Sequence, residues 1–161
     1  VKLFLAFCIL FGMTTGSAQT APLQSHAAAE QLVNDPRVAR ALDWLAKNAA
    51  WVSAEQVRIT EIPAPPFREA ARAAYLRKLL ASCGLRVRTD EVGNVVGERP
   101  GSSANDVVML AAHLDTVFPA GTDVHVRREG SRLAAPGISD NGTGLATLVA
   151  VARALHESKL K

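Results

Sequence analysis

Cysteine is nearly absent from this chain: Cys8 and Cys83 are the only two among 161 residues. Cys8 falls within an apolar N-terminal run, so a chain that loses this run keeps Cys83 alone and has no internal disulfide. Stability must then come from packing or from a metal. Charge of one sign is also scarce. The net charge is +3, charged residues make up 20%, and arginine and lysine are dispersed, which gives no basis for nucleic-acid binding. No apolar run is long enough to span about 30 Å of hydrocarbon as a helix, so no stable membrane anchor is expected. No internal repeat is present. The apolar content of 48% is that of a globular domain with a real core.

The N-terminus has the layout of a secretory signal. Lys2 supplies the positive region, Leu3 to Met13 the short apolar core, and Gly16-Ser17-Ala18 the small residues of a cleavage site. Residues 1–18 are expected to be a signal peptide, with export to the periplasm or medium. Residues 19–36 read as a linker or leading segment, and 37–161 as a catalytic-type domain.

Asp35-Pro36 marks a helix start, a capping side chain before proline at the first turn. Val38, Ala41, Leu42, Leu45 and Ala49 follow at helical spacing, with Trp44 and Trp51 at the margins. Pro63-Ala64-Pro65-Pro66 breaks any helix. A second helix is predicted from Phe67 to Ser82, its inner face being Phe67, Ala71, Ala74, Tyr75, Leu79 and Cys83. Arg72 is placed on the polar face, and Gly84 is the stop. Leu85–Thr89 and Asn94–Gly97 read as strands around an Asp90–Gly93 turn, and Val124–Arg128 with Arg132–Ala134 as a small hairpin. Val107 to Ala112 is apolar without interruption and predicts a central strand covered on both faces. Gly142 to Glu157 predicts the last helix, with Leu145, Leu148, Val149, Ala152 and Leu155 inward.

The chemistry gathers where the apolar run ends. Ligands in open α/β sheets collect at the carboxyl ends of strands, and His113 lies just beyond such an end. Asp115, two residues on, falls on the same side of an extended segment. It can accept the second ring N–H of a ligand histidine, the usual outer partner in zinc sites. Asp140 sits in the glycine-rich turn PGISDNGTG ahead of the last helix. Such glycines could cradle a phosphate, but Asp140 would repel it and the lysine of a phosphate loop is missing. A cation suits that carboxylate better, and one carboxylate can bridge two ions. Helix capping explains one acidic residue there, but not why the turn follows a His-x-Asp strand end.

HLDTVFP followed by APGISDNGTG resembles the co-catalytic di-zinc metallopeptidases of the aminoacylase, carboxypeptidase G and peptidase T type. Upstream, Ile62-Pro63-Ala64-Pro65, Glu69, Gly84 and Asp90 to Val96 extend the resemblance to about Val57–His156. It implies an α/β, three-layer αβα zinc-exopeptidase-like catalytic domain. This chain is expected to be truncated, lacking the C-terminal part and the inserted dimerisation domain. By the resemblance His113 would ligate one zinc, Asp140 would bridge two, and Asp115 would orient the histidine. Cobalt or manganese are alternative metals. A cis peptide at Asp140-Asn141 would also be expected. Asn141 stands where an acidic residue is common.

The 27-residue separation of His113 and Asp140 is similar to that of the aminoacylase and carboxypeptidase group; the related aminopeptidases often have a shorter one. The implied activity is zinc-dependent hydrolysis of a peptide or N-acyl amino-acid amide bond. The family's glutamate base and remaining ligands lie well downstream of the bridging aspartate. His156 and Glu157, in a helix end, do not replace them, so this chain is expected to be inactive by itself. The alternatives are a related di-zinc aminopeptidase and a non-catalytic exported binding domain.

Overall fold

A computed structural model describes residues 29–103 and 106–160. The signal-peptide reading, and the linker reading through residue 28, lie outside the described residues.

Helix α1 spans Pro36–Lys47 and α2 spans Ala49–Thr60. Asp35 caps α1 as its sequence implies, its carboxylate accepting from the Arg37 N–H at 2.7 Å. The chain breaks at Asn48, whose N–H and side-chain amide both donate to Trp44 O, and turns into α2. Helix α2 was not anticipated as a separate element. Its apolar pattern is weak because buried Glu55 and Thr60 share the inner face with Ile59. Trp44 and Trp51 meet edge to face at the margin, centroids 5.7 Å apart, as their placement implied.

Helix α3 spans Ala70–Ser82, three residues shorter at its start than predicted. Phe67 lies outside it, in the left-handed region at φ 64° and 98% exposed. The Phe67 N–H instead donates to Glu69 Oε1 at 2.6 Å. The predicted inner face is matched in part: Tyr75 and Leu79 pack half-buried against the core and Cys83 is buried. Arg72, Ala73, Leu76 and Leu80 are buried, whereas Ala71 and Ala74 are exposed. Placing Arg72 on the polar face followed its charge. Its guanidinium is buried because backbone carbonyls of the proline-rich loop and of the site segment accept its N–H groups. Cys83 is buried and unpaired. Gly84 ends the helix at φ 76°.

Strands β1 (Arg86–Thr89) and β2 (Val95–Glu98) pair antiparallel, Arg86 opposite Glu98 and Thr89 opposite Val95. Asp90 closes their turn, accepting from the backbone N–H of Val92 and Asn94 at 3.1 and 2.8 Å. Strands β3 (Arg127–Glu129) and β4 (Arg132–Ala134) form the expected small hairpin. Helix α4 spans Gly144–Glu157 and buries Leu145, Ala146, Val149, Ala150 and Ala154. Ile59, Leu76, Leu80, Leu145, Ala146 and Val149 make the core where α2, α3 and α4 meet.

Helices and small sheets thus combine in an α/β arrangement. The predicted central strand is not formed. Val107–Ala112 forms no strand and has no strand partner among the described residues, and Val107, Val108 and Met109 are 87%, 89% and 84% exposed. An extended segment becomes a strand only when a neighbour takes its N–H and C=O groups. Among the described residues the four strands are used up in two separate hairpins. The run enters the core only at its end, where Ala112 and Leu114 pack against the helical cluster.

Candidate metal centre

Two segments build the site. The first is the end of the apolar run, His113 to Thr116. The Thr116 N–H donates to Ala64 O at 2.8 Å, so the proline-rich loop fixes where the run stops. The second is the turn Ile138–Thr143, entered through Gly137 at φ 78°. Helix α2 holds this turn in place. The Gln56 side-chain amide donates to Ile138 O at 3.0 Å and to Thr143 Oγ1 at 2.8 Å. Gly142 lies so close that a Cβ there would meet Thr60 Oγ1 at 2.4 Å, which explains a glycine at that place. Neither Gln56 nor Thr60 stood out in the sequence; an amide and a hydroxyl in a weakly patterned helix carry no local signal.

The segments bring the three predicted site residues together. His113 Nε2 lies 2.8 Å from Asp140 Oδ1, and His113 Nδ1 lies 3.2 Å from Asp115 Oδ1 and 3.0 Å from Asp115 O. The peptide between Asp140 and Asn141 is cis. The Asp140 carboxylate on Nε2 is the main cause that raises the His113 imidazole above its ordinary pKa. Burial is the next largest influence and opposes the rise, while the Asp115 carbonyl and carboxylate add to it. The side chains of His113 and Asp140 are 47% and 88% exposed, so both can reach a ligand from solvent.

A cleft of about 300 Å³ opens beside them, lined by His113, Asp115, Val117, Phe118, Pro136 and Asp140 among others. Its lining combines apolar side chains with the two carboxylates. An imidazole nitrogen and a carboxylate oxygen facing one another are the donor types zinc accepts, and the Asp115 contact on Nδ1 is the outer-partner arrangement. The residues present therefore fit part of a metal shell. Among the described residues no group of three or more His, Cys, Asp or Glu side chains gathers to hold an ion. His156 and Glu157 do not line the cleft.

Comparison with known proteins finds a match that takes in both segments. Residues 94–161, which contain both segments, match Peptidase family M28. Over this stretch the chain is similar to peptidases of that family. It is 40% identical over 67 residues to leucine aminopeptidase 2 of Trichophyton equinum, covering 42% of this chain and 10% of that protein. The corresponding enzyme of Trichophyton rubrum is 39% identical over the same length. The cytosol non-specific dipeptidase of Escherichia coli (strain K12) is 31% identical over 113 residues, 58% of this chain and 22% of that protein. The chain thus spans between about a tenth and about a fifth of the length of these relatives.

Proposed function

We propose that this metallopeptidase segment contributes the first part of a zinc centre for hydrolysing peptide bonds at a chain end. The observation that carries the reading is His113 Nε2 facing Asp140 Oδ1 at 2.8 Å, with Asp115 on the other ring nitrogen. The aminopeptidase and dipeptidase names of the relatives support an exopeptidase. The 27-residue connection supports the acylase and carboxypeptidase side of the resemblance. N-acyl amino-acid amides therefore stay in the substrate class beside peptides.

His113 and Asp140 would hold the metal, and by the resemblance Asp140 would serve a second ion as well. Bound there, zinc would polarise the substrate carbonyl and lower the pKa of its water. With Asp115 accepting at Nδ1, the neutral imidazole would present Nε2 to the metal in place of its contact with Asp140. Val117, Phe118 and Pro136 offer an apolar wall to a substrate side chain. Both carboxylates of the cleft are engaged with His113, so neither serves as an independent base.

The 161-residue chain is therefore expected to bind zinc but to turn over peptides and acyl-amino acids slowly, if at all. The check is a substrate panel of leucine anilide, dipeptides and N-acetyl amino acids, assayed with and without zinc. Rapid zinc-dependent hydrolysis abolished by His113→Ala would overturn the inactivity. Zinc binding unchanged in His113→Ala would overturn the site and favour a non-catalytic binding domain. Signal-directed export belongs to the same proposal, and is tested by following the chain and a Lys2→Glu variant into the periplasmic fraction.

A further inference from the structure

We propose that Arg72 is the positioning residue that sets the spacing between the two halves of this metal centre, an inference that rests on the zinc reading above. Arg72 is 1% exposed, the largest fully buried side chain among the described residues. It forms no ion pair there. Its guanidinium is spent on backbone carbonyls from two segments. Nη1 donates to Leu114 O at 2.8 Å. Nε and Nη2 donate to Ile62 O at 3.1 and 2.6 Å, and Nη2 also to Thr60 O at 3.3 Å. Leu114 is the residue between His113 and Asp115, so Nη1 grips the peptide that carries both. Thr60 is the residue whose hydroxyl meets the Asp140 turn at Gly142. One rigid, planar side chain thus joins the histidine segment to the helix end on which the aspartate turn rests.

Packing alone does not account for an arginine here. Burying a cation is unfavourable unless acceptors surround it, and a leucine or methionine would fill the same space without that cost. Three carbonyls in a fixed fork give what an apolar side chain lacks, which is a defined distance between the two segments. Asp115 lies close enough for its charge to favour the guanidinium against desolvation, tying the cation to the site electrostatically as well.

The test uses the full chain as wild type, Arg72→Met, Arg72→Lys and Val149→Ala. Val149 is a fully buried core residue of α4 that bonds neither segment through its side chain, and its truncation controls for general loss of stability. Zinc affinity is read by competition with a chelating dye. Amide hydrogen exchange of Thr116, relative to core amides of α3, is read in the metal-free protein. Arg72→Met is expected to weaken zinc binding by about 10–100-fold, the range for removing an outer partner of a metal ligand. It should also speed Thr116 exchange selectively. Arg72→Lys should recover part of both effects, since an ammonium reaches fewer of the carbonyls. Val149→Ala should lower the melting temperature and change neither.

Equal zinc loss in Val149→Ala and Arg72→Met at matched melting temperature would overturn the proposal. So would unchanged Thr116 exchange in Arg72→Met. If Arg72→Met does not fold, Arg72→Lys against Val149→Ala decides in the same way, and full wild-type behaviour of Arg72→Lys overturns the proposal. Wild-type protein that binds no zinc would sink the metal reading, while Thr116 exchange still decides whether Arg72 positions the segment.

Discussion

At the scale of single residues, His113 is the group on which charge and function turn. Its folded-state pKa is raised, chiefly by Asp140. A raised pKa gives stability that is fully present below the unfolded value of about 6.5 and is lost as pH rises through the folded value. Metal-free protein should therefore melt at a higher temperature near pH 5.5 than near pH 8.5. His113→Gln should remove that part of the slope, as thermal unfolding at the two pH values will show. The effect will be small because both side chains are well exposed. Zinc binding runs the other way, since it needs a neutral imidazole, and should strengthen over the same rise in pH. Gly142 makes a second prediction. A Cβ there would lie 2.4 Å from Thr60 Oγ1 and 3.0 Å from Gly137 O. Gly142→Ala should therefore cost about 1–3 kcal/mol in a denaturant melt, the usual range for overpacking.

At the scale of elements, the caps and turns were legible because their chemistry is local. Asp35-Pro36, Asp90 to Gly93 and Gly84 are found where their residue types place them. The His113, Asp115 and Asp140 cluster was legible as well, because a histidine at the end of an apolar run and an aspartate among glycines each carry a short-range signal. The inner face of α3 was legible only in part, through Tyr75, Leu79 and Cys83. An arginine buried on backbone carbonyls is invisible to hydrophobic periodicity, and Arg72 takes a place on that face where Ala71 and Ala74 were expected. The apolar run Val107–Ala112 misled for the opposite reason. Periodicity reports that a segment wants burial, not that a partner is present, and this one stays exposed over its first residues. An exposed apolar run with unpaired backbone groups is an aggregation template. Val108→Lys should reduce self-association of the chain on size-exclusion chromatography and leave its melting temperature unchanged. Unaltered self-association would show that this run is not the sticky element.

At the scale of the whole molecule, a core of three helices fixes two short segments against each other. Ile59, Leu76, Leu80 and Val149 sit at its centre. Ile59 is fully buried in α2, the helix that also holds the Asp140 turn. Truncating it should lower stability by about 2–5 kcal/mol and loosen the site with it, an outcome that calorimetry of Ile59→Ala with and without zinc would reveal. The account comes down to one claim, that His113 and Asp140 face each other in order to share a metal. The most direct measurement is a calorimetric zinc titration of the wild-type chain beside His113→Ala and Asp140→Asn. The account predicts wild-type binding that each substitution weakens by about tenfold or more, at least the loss seen when an outer partner is removed. Zinc binding of the same strength in all three proteins would contradict it.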